Sequence, residues 1–216
     1  MIDFELNLFT KGIKYIAGID EVGRGPIAGP LVVSAVVLNL EKVLDLLRNN
    51  DVDDAETWLY SQIKDSKKIN QRNRSILNDF IKNEALNYSV IEISHKKIDS
   101  IGMGEATRVG FFESIQKLTL KPNHVFTDHF AIPKLTREDQ TNINDGDNKS
   151  ISVAAASIIA KVYRDGLMIE WSRKYPVYGF EKHKGYGTKE HITALLKHGP
   201  CEIHRKSFEP IKSWFK

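Results

Sequence analysis

Two apolar runs, YIAGI (15–19) and LVVSAVVLNL (31–40), are separated by a stretch that holds two acids, an arginine, glycines at 23, 25 and 29, and prolines at 26 and 30. Short runs this rich in aliphatic and β-branched residues read as buried strands, and the Gly/Pro-rich stretch between them reads as a tight turn. No other feature constrains the fold as much, because it puts Asp20 and Glu21 where a buried strand leaves its sheet. A lone carboxylate inside a strand costs several kcal/mol unless it is neutralised, so a strand end is the place for it. Neighbouring strand residues point to opposite faces. The two acids can therefore share one site only if the strand bends or ends there, which Gly23 permits.

The rest of the chain alternates. EKVLDLLRNN (41–50) reads as a short helix, and INQRNRSILNDFIKNEAL (69–86) as a helix with Leu77, Phe80, Ile81 and Ala85 at helical spacing. NYSVIEIS (87–94) returns to strand. GEATRVGFFESIQKL (104–118) is helical, with Phe111, Ile115 and Leu118 in one stripe. HVFTD (124–128) is a short strand, and residues 150–175 form a long helix with Ile151, Ala154, Ile158 and Val162 in line. This order predicts an α/β chain with a central mixed sheet covered by helices on both faces. Residues 130–150, rich in Asn, Asp and Thr, read as a loop between a strand and a helix, where sites often lie.

Composition narrows the class. With 216 residues, 41% of them hydrophobic, the chain can bury the core of one domain. No apolar run approaches the ~18 residues of a membrane span. The opening MIDFELNLFTKG lacks a basic-then-apolar leader, so a cytoplasmic location is expected. A single cysteine, Cys201, excludes a disulfide framework and a Cys-based zinc cluster. The net charge of +3 is compatible with a nucleic-acid partner without requiring one.

Asp20, Glu21 and Asp128 all fall at the carboxyl ends of apolar strands. Taken singly, Asp20 and Asp128 read as ordinary turn residues. Brought to one sheet edge, such acids form an anionic cluster of hard oxygen ligands that suits Mg²⁺ or Mn²⁺. The turn adds backbone amides able to cup phosphate oxygens, and Arg24 adds a positive charge. DSKK (65–68) offers a phosphate grip, with Lys67 the candidate and a solvated helix start the competing reading.

GIDEVGRGPIAGPLV (18–32) resembles type 2 ribonuclease H, specifically the ribonuclease HII family. KDSKKI (64–69), TD (127–128), GD (146–147), AAASIIAKVYRD (154–165), YGFEKHKGYGT (178–188) and HRKSFEP (204–210) follow in the family's order. The resemblance implies a ribonuclease H-like fold and a single catalytic domain over 1–216, with a helical C-terminal part from about 170 to 216. It implies four metal-binding catalytic acids, Asp20, Glu21, Asp128 and Asp147, around two Mg²⁺ or Mn²⁺ ions, with Asp20 bridging them. Asp145 and Asp165 compete for the fourth place, and the family's acid is that of the GD before the AAS helix. Asp165 lies ~20 Å down a helix starting near 152 and reads as a structural partner.

The family cuts RNA/DNA hybrids and single ribonucleotides embedded in duplex DNA on the 5′ side of the ribonucleotide. The ends left are 3′-hydroxyl and 5′-phosphate, and the roles implied are ribonucleotide removal and RNA primer removal. The backbone of Gly23, Arg24 and Gly25 and the hydroxyl of Tyr186 are expected to read the RNA–DNA junction through the 2′-hydroxyl. The Tyr186 ring would pack on the next deoxyribose; outside the family context it reads as a half-buried tyrosine. His183, Lys184 and HRKSF are expected to line the duplex or brace the site. His198 and His204 are set aside as metal ligands because the family uses carboxylates.

One departure stands out: His129 and Phe130 follow Asp128 where the family has a small residue, so a loop of different shape is expected. Ribonuclease HIII carries an extra N-terminal domain and a different fourth acid. A first strand starting by about residue 12, together with Asp147, favours HII. A monomer is the default, and contact with a replication clamp is left open. Two alternatives stay in view: a non-cleaving hybrid-binding module, and a DNA strand transferase or resolvase of the same fold class.

Overall fold

In the computed structural model, which describes residues 1–49, 54–64 and 66–215, the two apolar runs form neighbouring strands. A short helix, α1 (Asp3–Phe9), comes before them. β1 (Ile16–Val22) and β2 (Leu31–Val37) pair antiparallel, with Asp20 opposite Ser34. The first strand thus begins at Ile16, not near residue 12. Residues 10–12 instead hydrogen-bond back onto the end of α1, and Gly12 turns the chain at φ +88°.

Next come α2 (Leu40–Asn49) and α3 (Ala55–Gln62), the latter capped by the Asp54 carboxylate on the Thr57 N–H. Asn50, at the end of the helix expected over 41–50, lies outside the described residues, as does Asp65 of DSKK. A 3₁₀ turn (Ser66–Lys68) leads to α4 (Gln71–Glu84), capped by Asn70. β3 (Asn87–Ile93) pairs antiparallel with β2, and Ser94 caps α5 (His95–Ile101). After α6 (Met103–Lys117), β4 (His124–Asp128) pairs parallel with β1.

The 130–150 stretch is not all loop. It contains β5 (Gln140–Ile143), parallel to β4, whose polar residues suit an edge strand and hide the apolar alternation of a buried one. The sheet order β3-β2-β1-β4-β5 mixes parallel and antiparallel pairs. α7 (Ile151–Lys174) follows, then α8 (Phe180–His183), α9 (Lys189–His198) and α10 (Ile211–Trp214).

β1 sits at the centre, with both faces covered. Ile16 packs with Ile151, Ala154 and Ile158 of α7, while Ala17 and Ile19 pack with Phe111 and Ile115 of α6. α7 approaches β1 closely because residue 18 is glycine: a Cβ there would come 2.0 Å from the Ser152 carbonyl carbon. The start of α7 is held from α1, since the buried Glu5 carboxylate accepts the Ser152 N–H at 3.0 Å and the Ser150 hydroxyl at 2.5 Å. Burial raises the Glu5 carboxyl above its ordinary range. Among the described residues no helix is long and apolar enough to cross a membrane.

Candidate active site

β1 stops at Val22, and Gly23 then takes φ +103°, a left-handed value that favours glycine. With the strand ended there, Asp20 and Glu21 both reach one cleft despite the alternation of the strand. Asp128, from the end of the adjoining β4, lines the same cleft, as do the Gly23–Arg24–Gly25 turn, Lys67 and Tyr186. Asp147 is not in that lining. It is buried on the 3₁₀ turn Gly146–Asn148, where one carboxylate oxygen lies 3.4 Å from Lys67 Nζ and the other accepts the Asn148 amide at 3.2 Å. Its neighbour Gly146 donates its N–H to Asp128 Oδ1 at 2.8 Å, so the two acids share a corner.

Electrostatics tie the four together. The Asp20 carboxyl is pushed up to about 7: burial raises it most, Asp128 and Asp147 add to the rise, and the Ser157 hydroxyl and the Glu21 N–H hold it down. Glu21 is raised well above its usual range, first by burial and then by Asp20, and Arg24 at 3.5 Å opposes the rise. Asp145 is exposed and accepts the Asn148 amide, whereas Asp165 pairs with Lys161 at 2.9 Å and with Arg74 at 3.8 Å.

Among the described residues no three His, Cys, Asp or Glu side chains are gathered as a ready metal cage. Asp20, Glu21, Asp128 and Asp147 each also have a donor from the protein, from Glu21 N–H, Arg24, Gly146 N–H and Lys67 respectively. The donor set nonetheless fits a divalent ion. All four groups are hard carboxylates at one sheet edge, and Glu21 Oε2 is buried with no hydrogen-bond partner.

The turn after β1 is braced by two buried arginines. Arg164, on α7, donates to the carbonyls of Pro30, Lys184 and Ala28 at 3.0, 2.9 and 3.1 Å. Arg205 donates to those of Gly29, Arg24 and Gly23 at 2.9, 3.0 and 2.6 Å. Burial lowers the two guanidinium groups to about 10 and about 9. Backbone bonds from Ile27 to Gly185 and from Arg205 to Ile27 join the turn to the segment ahead of α9 and to the C-terminal segment. Tyr186 stands half-exposed beside Gly25, where a Cβ would lie 3.6 Å from the tyrosine ring.

His183, Lys184 and Arg205 therefore brace rather than line the cleft: the Lys184 carbonyl anchors Arg164, and His183 Nε2 donates to the Tyr178 carbonyl. The His129–Phe130 departure has a definite shape. His129 adopts φ +62°, a conformation a glycine enters more easily, and Phe130 offers its ring to the Arg24 guanidinium at 4.1 Å.

Three residues near the cleft, Ser157, Lys161 and Arg164, are assigned no role in the sequence reading, while Ser66 and Arg205 lie in the DSKK and HRKSF stretches expected there. Ser157 holds Asp20, Ser66 lies 2.9 Å from Ser157, Lys161 lines the cleft, and Arg164 and Arg205 hold the turn. Ser157 and Lys161 stand four apart on a helix whose neighbouring positions are apolar. Polar residues one turn apart on a buried stripe are the signal that could have found them.

The architecture matches solved structures over nearly the whole chain. The ribonuclease H2 of Pyrococcus horikoshii OT3 aligns with a TM-score of 0.72 and 25% identity, over 92% of this chain and 96% of that one. The ribonuclease HII of Archaeoglobus fulgidus, solved in complex with PCNA, gives 0.69 and 25% over 90% and 95%. Bst-RNase HIII, solved with Mn²⁺, gives 0.64 at 17% identity over 92% and 68%, a likeness of fold alone. The fold is thus the ribonuclease H-like one, with a helical C-terminal part. The family described as Ribonuclease HII matches residues 17–211. A ribonuclease HII of Caldicellulosiruptor saccharolyticus is 43% identical over 95% of this chain and 92% of its own length, and one of Acholeplasma laidlawii 42% over 99% and 96%. The chain belongs to the ribonuclease HII family, a family of hydrolytic nucleases.

Proposed function

We propose that the chain, acting as one catalytic domain, hydrolyses the phosphodiester on the 5′ side of a ribonucleotide. Its substrates are RNA/DNA hybrids and single ribonucleotides embedded in duplex DNA, and the ends left are 3′-hydroxyl and 5′-phosphate. The observation that carries this reading is one cleft in which Asp20, Glu21 and Asp128 face a glycine-flanked arginine turn and an exposed tyrosine. Asp20, Glu21, Asp128 and Asp147 would hold divalent metal, Mg²⁺ or Mn²⁺. The chemistry that such metal would supply there is activation of a water and stabilisation of the departing 3′ oxygen.

The chain's own residues supply the remainder. The Gly23–Arg24–Gly25 backbone, immobilised by Arg164 and Arg205, presents amides to the substrate backbone, with Arg24 and Lys67 adding positive charge. Tyr186 donates its hydroxyl to the 2′-oxygen of the ribose and rests its ring on the following deoxyribose. Such contacts separate ribose from deoxyribose, a choice that metal ions do not make. The roles that follow are ribonucleotide excision and RNA primer removal, in a cytoplasmic monomer.

A labelled duplex with one embedded ribonucleotide tests the reading. One cut 5′ to the ribose is expected with Mg²⁺ or Mn²⁺, none with a chelator, and near-complete loss in Asp20→Asn. Cutting of all-DNA duplex regardless of ribose content, or binding of hybrid without any cut, overturns it.

A further inference from the structure

The backbone that carries Tyr186 is held by imidazoles that do not line the cleft. His191, on α9, is fully buried, and its Nδ1 lies 2.9 Å from the Tyr186 carbonyl. A carbonyl only accepts, so Nδ1 carries the proton and Nε2 is bare. That bare Nε2 is 3.0 Å from Nε2 of His204, which is also buried. His204 fixes the pattern from its other side, because its Nδ1 accepts the Cys201 N–H at 2.9 Å. The His204 proton therefore sits on Nε2 and is donated to His191. Burial lowers both imidazoles to about 4, so this uncharged arrangement is the one present near neutrality.

His183 completes the support. It stacks on His191 with ring centroids 4.4 Å apart and planes 12° from parallel. Its Nδ1 accepts the Gly185 N–H at 3.2 Å, and its backbone carbonyl accepts the Tyr186 N–H at 3.0 Å. The tyrosine side chain is itself half-exposed, so its aim depends on the backbone that carries it.

We propose that His191 and His204 are positioning residues for substrate recognition, setting Tyr186 against the Gly25 edge of the cleft through the hydrogen bond to its carbonyl. This rests on the reading of Tyr186 given above. His191→Phe keeps the buried ring but has no donor. His191→Asn keeps an N–H the same number of bonds from Cβ as Nδ1.

kcat/KM is compared on a duplex with one ribonucleotide and on a continuous RNA/DNA hybrid. For His191→Phe the expected loss is about tenfold on the single ribonucleotide, the factor one ordinary hydrogen bond supplies, with a much smaller loss on the hybrid. His191→Asn restores most of it. In a Tyr186→Ala background, His191→Phe adds no further loss. Equal losses on both substrates, a loss undiminished beside Tyr186→Ala, no rescue by Asn, or no loss at all overturns the proposal. If Tyr186→Ala alone leaves single-ribonucleotide cutting intact, the reading of Tyr186 has failed first and this inference falls with it. Should His191→Phe not fold, the same cycle with His204→Met, which removes the Nε2 donor, decides the matter on the same criteria.

Discussion

At the scale of single residues, the buried arginines matter as much as the acids. Arg205 is fully buried and divides its donors among three carbonyls of the turn. Replacing it with methionine fills the space but leaves those carbonyls without a partner. Arg205→Met is expected to destabilise the protein by roughly 3 kcal/mol or more, read from urea unfolding. Arg205→Lys should recover little of this, because one ammonium cannot match a planar fork aimed at three acceptors. In the sequence Asp20, Glu21 and Asp128 were conspicuous as acids at the ends of apolar runs, whereas Asp147 ends no such run and was singled out only through the family resemblance. Arg205 was legible only as part of the HRKSF stretch expected to line the duplex or brace the site, because nothing local marks an arginine whose acceptors lie some 180 positions earlier in the chain.

Among the elements, the contact of β1 with α7 is the one that brings carboxylates and serines together. Its closeness depends on Gly18, where a Cβ would meet the Ser152 backbone at 2.0 Å. Backbone cannot rotate aside as a side chain does, so Gly18→Ala must push α7 away from the sheet. A stability loss near the upper end of the roughly 1–3 kcal/mol seen for overpacking is expected, together with weakened cutting as Ser157 withdraws from Asp20. A thermal melt alongside the single-ribonucleotide assay checks both. The sequence showed β1, β2 and α7 plainly, since long apolar runs and helical stripes need no tertiary information. It did not show α1, α3, α5 or β5. These are short or edge elements held by caps such as Asp54 and Ser94 or by pairing to β4, and their polar residues carry no strong period.

For the whole molecule, acidity acts on two regions in opposite senses. His191 and His204 titrate near 4 in the fold, against 6.5 for a free imidazole. As pH falls the unfolded chain takes up protons first, so their contribution is complete above about 6.5 and is lost on the way down to about 4. Each contributes up to roughly 3 kcal/mol by that linkage. Asp20, raised from 3.8 to about 7, behaves the other way and costs stability as pH climbs through that interval. Asp20→Asn should therefore unfold at higher urea than the parent at pH 8 in the absence of metal, and the difference should vanish by pH 4. In that variant, the urea midpoint should still fall between pH 7 and pH 4.5, through the histidines; a flat profile would remove them as its source.

The turn beside the acids touches α7 at Arg164 and the C-terminal segment at Arg205. During synthesis a ribosome has supplied Asp20, Glu21, Asp128 and Asp147 once it passes residue 147, yet Arg205, the second of the turn's two braces, is added nearly sixty residues later. The turn beside the acids can therefore be fully held only after every residue of the acidic corner has been made.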